Sequence, residues 1–188
     1  LVVVTVPNAA HREVAEAAVA AGLSVVVDKP VTPTAAEARR LGAAAGARGV
    51  SVIPYHNRRW DGDFQTVADL RAAGRLGRVW RFESRFERWK PVPTSGSWKQ
   101  DPGQAGAGIL FDLGPHLVDQ ALALFGPPTA VYAELATRRG PVVDDAFVAL
   151  AYRDGPDVHL WASSQAARLG PRFRVLGSEA GYVKFGMD

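Results

Sequence analysis

The sequence predicts two unlike units in series, an α/β unit over residues 1–54 and an α+β unit over residues 55–188. Up to residue 54, short apolar runs alternate with helical patterns, the order that produces a right-handed, doubly wound parallel sheet. After residue 55 the chain has a long alternating strand, a long helix and several short strands divided by turn residues. That pattern is typical of an open, largely antiparallel sheet. The predicted fold class is therefore α/β plus α+β.

The first strand and helix are predicted at the start of the chain. Residues 1–6 (LVVVTV) are a continuous apolar, β-branched run, which is typical of a strand covered on both faces. Asn8 is predicted as the N-cap of the helix that follows, and Gly22 as the residue that ends it.

The rest of the first unit repeats this order. Residues 24–27 form the second predicted strand, and Thr34 and Glu37 form a capping box for a helix that extends to residue 47. Residues 50–53 form a third strand. Beyond Pro54 the sequence becomes polar and aromatic.

The second unit begins with a helix that includes residues 64–70 and ends at Gly74, followed by a half-exposed strand over residues 78–89. Alternate residues of that strand are expected to share one face: Trp80, Phe82, Ser84 and Phe86. A loop over residues 90–106, rich in Pro, Gly and Ser, precedes a helix over residues 108–125. The remaining strands are predicted to form an antiparallel meander at residues 129–137, 145–152, 157–163, 172–177 and 181–185.

The composition argues against several classes of protein. With 47% hydrophobic residues in 188, the chain can bury a core and is not disordered. It has no cysteine, which excludes disulfides and thiolate metal sites and suits the cytoplasm. No apolar run approaches the ~20 residues that a membrane span needs. The 22 basic residues interleave with 19 acidic ones, so we expect no nucleic-acid partner despite a net charge of +3.

Polar residues follow the first two predicted strands. Ligands of open parallel sheets bind beyond the carboxyl ends of the strands, where Asn8, His11, Asp28 and Lys29 lie. Asn8 is explained more simply as a helix cap, and His11 as a solvated residue of the first turn. Lys29 lies between a buried strand and a proline, so its amine is well placed to donate to a substrate oxygen or to stabilise a developing alkoxide.

The helix at residues 108–125 carries ionisable groups along one stripe. Asp112, His116 and Asp119 are spaced i, i+4 and i+7, and a histidine there can take a proton near neutral pH. Two structural explanations stay open: the helix dipole favours an acid in the first turn, and a histidine among leucines is often a core residue. Gly108, Gly114 and Pro115, unusual in an early helix, indicate a close approach.

Other kinds of site are less consistent with the sequence. Asp112 and His116 lack the third ligand that a zinc site needs, so we expect no metal. No Gly-x-Ser-x-Gly segment follows a strand, which argues against a serine hydrolase. Trp98 and Lys99, in the predicted loop, either line a cofactor or pack on their own loop.

Three segments together resemble the Gfo/Idh/MocA family of NAD(P)-dependent oxidoreductases: TVPNAAH at residues 5–11, DKP at residues 28–30 and GILFDLGPHLVDQ at residues 108–120. The resemblance extends over essentially the whole chain. The segments NRRWDGDF, GRLGRVWRFESRFERW and LFDLGPHLVDQALALFG are most similar to the scyllo-inositol dehydrogenase branch, which uses NADP.

The resemblance implies a Rossmann domain followed by an α/β domain whose open sheet builds homodimers or homotetramers. It implies hydride transfer between NADP or NAD and a secondary alcohol of a sugar or polyol. Lys29, Asp112 and His116 match the catalytic positions, with His116 as the general acid/base and Asp112 as the carboxylate that binds substrate. The positions that match cofactor contacts are Asn8, His11, Lys29, Pro30, Trp98 and Lys99. Lys99 replaces the usual arginine, which removes a bidentate donor.

The glycine-rich loop that binds pyrophosphate in such proteins does not occur in these residues, and the chain opens within a strand without methionine. We therefore expect a piece of a longer protein that binds dinucleotide weakly when isolated. The alternative is a family-like sensor or oligomerisation module without catalysis. The presence of Lys29, Asp112 and His116 argues against that alternative.

Overall fold

The computed structural model describes residues 1–94 and 96–187. Ser95, within the predicted loop, and Asp188, at the end of the predicted second domain, lie outside the described residues. The helices and strands are, in chain order, β1 (Val2–Val4), α1 (Asn8–Ala20), β2 (Val25–Asp28), α2 (Ala35–Ala47), β3 (Val52–Tyr55), α3 (Gly62–Ala72), β4 (Val79–Glu87), α4 (Ile109–Phe125), β5 (Ala130–Ala136), β6 (Asp145–Ala151), β7 (Asp157–Ser163), β8 (Phe173–Gly177) and β9 (Gly181–Lys184).

The first sheet is parallel, with the order β1-β2-β3, as the alternation of strands and helices predicts. Helices α1 and α2 pack on each other and share one core with the inward valines of the strands. Val3 is 63% exposed and Ile53 is 46% exposed. The prediction of strands covered on both faces is therefore wrong for the described residues, in which both helices lie on one face.

Two local predictions for the first unit are corrected and one is confirmed. Helix α1 has Pro7 as its N-cap, and Asn8 lies inside the helix with its amide donating to the carbonyl oxygen of Gly106 at 3.2 Å. Strand β3 continues through Pro54 because it is an edge strand of the described sheet, where a missing N–H is tolerated. The Thr34–Glu37 capping box is present.

The second sheet has six strands in the order β5-β6-β7-β4-β8-β9. All neighbours are antiparallel except β4 and β7, so the prediction of a largely antiparallel sheet is confirmed. The prediction of a meander is wrong, because β4 lies between β7 and β8. Phe82 of β4 pairs with Val158 on one side and Val175 on the other, and all three are fully buried. An apolar strand in that position lets both neighbours bury their own apolar faces.

A register shift at the start of β4 moves one tryptophan out of the core. The shift lies between Val79 and Arg81, so Val79 is buried and Trp80 is 51% exposed. The predicted shared face holds for Phe82, Ser84 and Phe86 but not for Trp80. A β-bulge changes the alternation by one residue, which strict period-two counting does not anticipate.

Helix α4 packs on β7, β4 and β6, and its buried residues Leu117, Ala121 and Leu124 join the core of the second sheet. This packing fixes the orientation of the helix that carries Asp112 and His116. No helix in the described ranges is long and apolar enough to cross a membrane. The domain boundary at residues 54 and 55 stays a prediction.

Candidate active site

Lys29 meets the first turn of α4. Lys29 follows β2 directly; its Nζ donates to the backbone carbonyl of Asp112 and lies 3.4 Å from Asp112 Oδ1. Both side chains are mostly buried, with 14% and 13% exposed. On the other side, Asp28 Oδ1 accepts the backbone N–H of Lys29 at 2.8 Å. The carboxyl end of the central strand in the first sheet therefore contacts the helix of the second unit.

Asp112 contacts three cations. Its Oδ1 lies 2.7 Å from Lys99 Nζ, and its Oδ2 lies 3.3 Å from a guanidinium nitrogen of Arg88, in addition to the contact with Lys29. Burial alone raises the pKa of Asp112, but Lys99, Lys29 and Arg88 outweigh it and hold the pKa below its usual value. Asp112 is therefore an anion that orders the ends of three long cationic side chains.

The pKa of Lys29 is lowered from its usual value. Burial is the main cause and the positive charge of Lys99 adds to it, while the attraction of Asp112 opposes both. An amine in this environment gives up its proton more readily than a solvated lysine and donates strongly to an oxygen placed beside it.

His116 lies one helical turn after Asp112 and is 5% exposed. Its ring packs edge-on against Phe86 and His56, with centroid distances of 6.1 and 6.4 Å. Burial, followed by the positive charges of Lys29 and Arg58, lowers the pKa of His116 to about 3. The imidazole is therefore neutral near pH 7, and it is a weaker base than the sequence predicts, because the expected protonation near neutral pH is shifted to acid.

The imidazole of His11 is buried between the two strand-end loops. Its Nδ1 lies 2.7 Å from the carbonyl oxygen of Pro30, and its Nε2 lies 2.7 Å from that of Val6. The residue is 1% exposed, so the expectation of a solvated first-turn side chain is wrong. His11 joins the loop after β1 to the loop after β2, and Asn8 joins α1 to Gly106 in the loop before α4. Their contact with a cofactor stays a prediction.

A cleft of about 240 Å³ opens at the ends of β1 and β2, and we call it the strand-end cleft. Its lining includes Asn8, Lys29, Trp98, Lys99 and Asp112. Lys99 Nζ lies 5.7 Å from the centre of the Trp98 ring, within the short 3₁₀ turn Trp98–Gln100. A flat aromatic ring, two amines and an amide at the carboxyl ends of parallel strands fit the nicotinamide end of a dinucleotide.

The third member of the predicted stripe has other partners. Asp119 accepts two hydrogen bonds from Arg59, at 2.6 and 2.8 Å, and lies 3.7 Å from Nε2 of His56. Burial is the main cause that lowers the pKa of His56. Sequence reasoning missed Arg88, His56 and Arg59. Two features of the sequence could have indicated them: Arg88 comes just after a long strand, and Arg59 lies in the NRRW segment.

Gly108 is required where α4 begins. Its φ is +88°, and a Cβ there would lie 2.8 Å from the carbonyl oxygen of Val143. A Cβ at Gly114 would instead meet Leu110 of the same helix. The close approach that the sequence predicts at these two glycines is therefore made by other residues of the same chain, Val143 and Leu110. Within residues 1–94 and 96–187, no group of three or more His, Asp or Glu side chains could hold a metal ion.

Comparisons with known proteins agree with this geometry. Residues 1–56 match the oxidoreductase family with an NAD-binding Rossmann fold, and residues 64–183 match the GFO/IDH/MocA C-terminal domain. The uncharacterized oxidoreductase YdgJ of Escherichia coli is 43% identical, over 100% of this chain and 54% of YdgJ. The scyllo-inositol 2-dehydrogenase (NADP(+)) IolW of Bacillus subtilis is 37% identical, over 100% of this chain and 52% of IolW.

The solved structure of the protein YvaA from Bacillus subtilis superposes with a TM-score of 0.89 at 35% identity, over 99% of this chain and 52% of that one. The chain spans about half the length of the curated relatives it matches.

Proposed function

The chain belongs to the Gfo/Idh/MocA family of oxidoreductases, and on this basis we propose that the full-length protein transfers a hydride between a nicotinamide cofactor and a secondary alcohol of a sugar or polyol. The observation that carries the proposal is the meeting of Lys29 with Asp112, one helical turn before His116. The inositol-dehydrogenase relative supports a polyol substrate and gives NADP a slight preference over NAD.

Proton transfer is the part that the chain's own residues perform. Neutral His116 accepts the proton of the substrate hydroxyl as the carbinol becomes a carbonyl. Lys29 donates a hydrogen bond to the same oxygen and stabilises the negative charge that develops on it. Asp112 accepts a hydrogen bond from a neighbouring hydroxyl, which positions the substrate while Lys99 and Arg88 hold the carboxylate in place.

The strand-end cleft is the proposed place for the nicotinamide end of the cofactor, which supplies the hydride acceptor or donor. Asn8 and Lys99 supply polar contacts there, and Trp98 supplies an aromatic face. His11 holds together the two loops beside the cleft, through its contacts with the carbonyls of Val6 and Pro30.

We also propose that the protein is a cytoplasmic homodimer or homotetramer assembled through the second sheet. The sheet face opposite α4 carries a continuous row of aromatic rings, formed by Tyr132, Phe147, His159 and Trp161. Arg85 lies 3.8 Å from the centre of the Trp161 ring. A flat aromatic face with arginine is typical of protein interfaces. Light scattering of the wild type and of Trp161→Glu tests this: we expect the variant to have the smaller mass.

The activity is tested on the full-length protein with a panel of inositols and aldoses, each with NADP and NAD, by the absorbance of reduced nicotinamide. We expect turnover of at least one polyol or sugar, and its loss in Lys29→Ala. Arg75→Ala, which removes an exposed cation from a turn, is the control. Turnover that persists in Lys29→Ala would contradict the proposed role of the amine.

A further inference from the structure

A second cavity lies across Asp112 from the strand-end cleft. Its volume is about 280 Å³, and we call it the basic cavity. Its charged lining consists of Arg88, Lys90, Lys99, Asp112, Arg139 and Asp144. It shares Asp112 and Lys99 with the strand-end cleft, so the Asp112–Lys99 ion pair forms a common wall between the two spaces.

Both acids of the basic cavity are already paired with cations. Asp144 is 3% exposed and accepts the backbone N–H groups of Arg138 and Arg139, together with Nε of Arg139 at 2.9 Å. Arg139 also donates to the carbonyl of Lys90, so its guanidinium is held in place. Asp112 forms ion pairs with Lys29, Arg88 and Lys99.

Positive charge therefore remains in excess. Four cations and two carboxylates line the cavity, which leaves a surplus of two positive charges. The side chains of Arg88 and Lys99 are 40% and 44% exposed, and Lys90 is exposed with no acidic partner in the described part of the chain. A concave site with one sign of charge concentrates ions of the other sign.

We infer that the substrate carries an anionic group, a carboxylate or a phosphate, which binds in the basic cavity while the reacting carbinol lies at Lys29 and His116. This inference rests on the proposed function. Arg88 donates to Ser164 through Nε and to Asp112 through one terminal nitrogen, which leaves N–H groups of the guanidinium for a substrate anion, and Lys90 supplies a second positive charge. The hydroxyls of Ser97 and Ser164 also line the cavity and can donate to the same oxygens.

The arrangement assigns the two spaces to different ligands. The strand-end cleft lies at the carboxyl ends of parallel strands, where dinucleotides bind. The basic cavity is lined by residues of the second unit, from the segment after β4, the loop before α4, the first turn of α4, the segment before β6 and the residue after β7. A sugar whose carbinol lies beside Asp112 can therefore extend its anionic end away from the cofactor.

The test uses matched sugars that differ in one group: glucose, glucuronate and glucose 6-phosphate. Their binding to the full-length protein is measured by calorimetry with NADP present and absent, and their turnover is measured in parallel. We expect at least one of the two anionic sugars to bind at least ten-fold more tightly than glucose, and the better of them identifies the anion. Lys90→Gln should reduce this ratio at least three-fold, whereas Arg75→Ala, which removes a distant cation, should not.

Each outcome separates this inference from the proposed function. A preference in binding without turnover of any sugar would support the anionic site and count against hydride transfer to sugars. Equal binding of glucose and both anionic sugars would overturn the inference, whatever the turnover. Competition of the anionic sugars with NADP, rather than with a neutral sugar, would also overturn it, because the cavity would then belong to the dinucleotide.

Discussion

Nζ of Lys29 lies 3.4 Å from Oδ1 of Asp112 and donates to the backbone carbonyl of the same residue, although the two are 83 positions apart in the chain. Lys29 directly follows a strand of the first sheet, and Asp112 lies in the first turn of the helix packed on the second sheet. This pair joins the two units at the point where the proposed chemistry occurs.

Replacement of Asp112 by asparagine tests the role of this carboxylate. Asp112 raises the pKa of Lys29 against the effect of burial, so Asp112→Asn should lower that pKa further. We expect kcat/KM of the full-length protein to fall at least ten-fold, about 1.4 kcal/mol, and the alkaline limb of its pH profile to move to lower pH. Asp69→Asn, on the exposed side of α3, is the control. An unshifted alkaline limb would show that Asp112 does not govern Lys29.

Acid stability tests the environment of His116. The pKa is about 3 in the folded protein and about 6.5 in an unfolded chain. As the pH falls from 6.5 towards 3, His116 binds a proton in the unfolded state but not in the folded state, so the free energy of unfolding decreases. The His116→Asn variant lacks this pH-dependent loss of stability. We expect its melting temperature to rise relative to the wild type as the pH is lowered from 7 to 4. Parallel curves for the two proteins would contradict a buried neutral imidazole.

The buried bridge of His11 should contribute to stability. His11→Phe leaves the carbonyls of Val6 and Pro30 without the ring nitrogens that contact them. An imidazole with one N–H donates to one of these two carbonyls, and a buried acceptor left unpaired costs about 1–3 kcal/mol, so we expect a loss of about that size in urea unfolding. Glu13→Ala, at an exposed position of the same helix, should change stability little. A similar small change in both variants would show that the bridge is dispensable.

Gly108 and Gly42 form a matched pair for backbone strain. Ala at position 108 would need a φ of +88° and a Cβ 2.8 Å from the Val143 carbonyl oxygen, whereas Gly42 lies in α2 with nothing within 4 Å of a Cβ. Gly108→Ala should destabilise the protein by at least about 1 kcal/mol, and Gly42→Ala should stabilise it by about 0.5–1 kcal/mol. Thermal unfolding measures the stability of both variants. A Gly108→Ala protein as stable as the wild type would show that the start of α4 can shift.

Local patterns in the sequence predict most of the elements because strands and helices are set by neighbouring residues. The Thr34–Glu37 capping box depends on four consecutive positions and is predicted correctly. The place of β4 between β7 and β8 is not predictable in this way, since it depends on which distant strands complete its buried faces. The bulge that exposes Trp80 and buries Val79 also depends on the partner strand.

In the candidate site, too, local features are predictable from the sequence and contacts between distant residues are not. The stripe of Asp112 and His116 follows from helical spacing, and the position of Lys29 follows from the end of a strand. Arg88 was missed because its guanidinium reaches Asp112 only through the tertiary fold. Asp119 lies on the predicted stripe, but its carboxylate is paired with Arg59 through two hydrogen bonds. Sequence spacing does not reveal that pair.

A double-mutant cycle on Lys29 and His116 tests the central claim, that both act on one substrate oxygen. The values of kcat/KM are measured for the full-length wild type, Lys29→Ala, His116→Ala and the double variant with the substrate found in the polyol panel. If both groups act on the same proton transfer, the double variant should be little slower than the slower single variant. Losses that multiply, or a single variant with wild-type kcat/KM, would contradict the shared site.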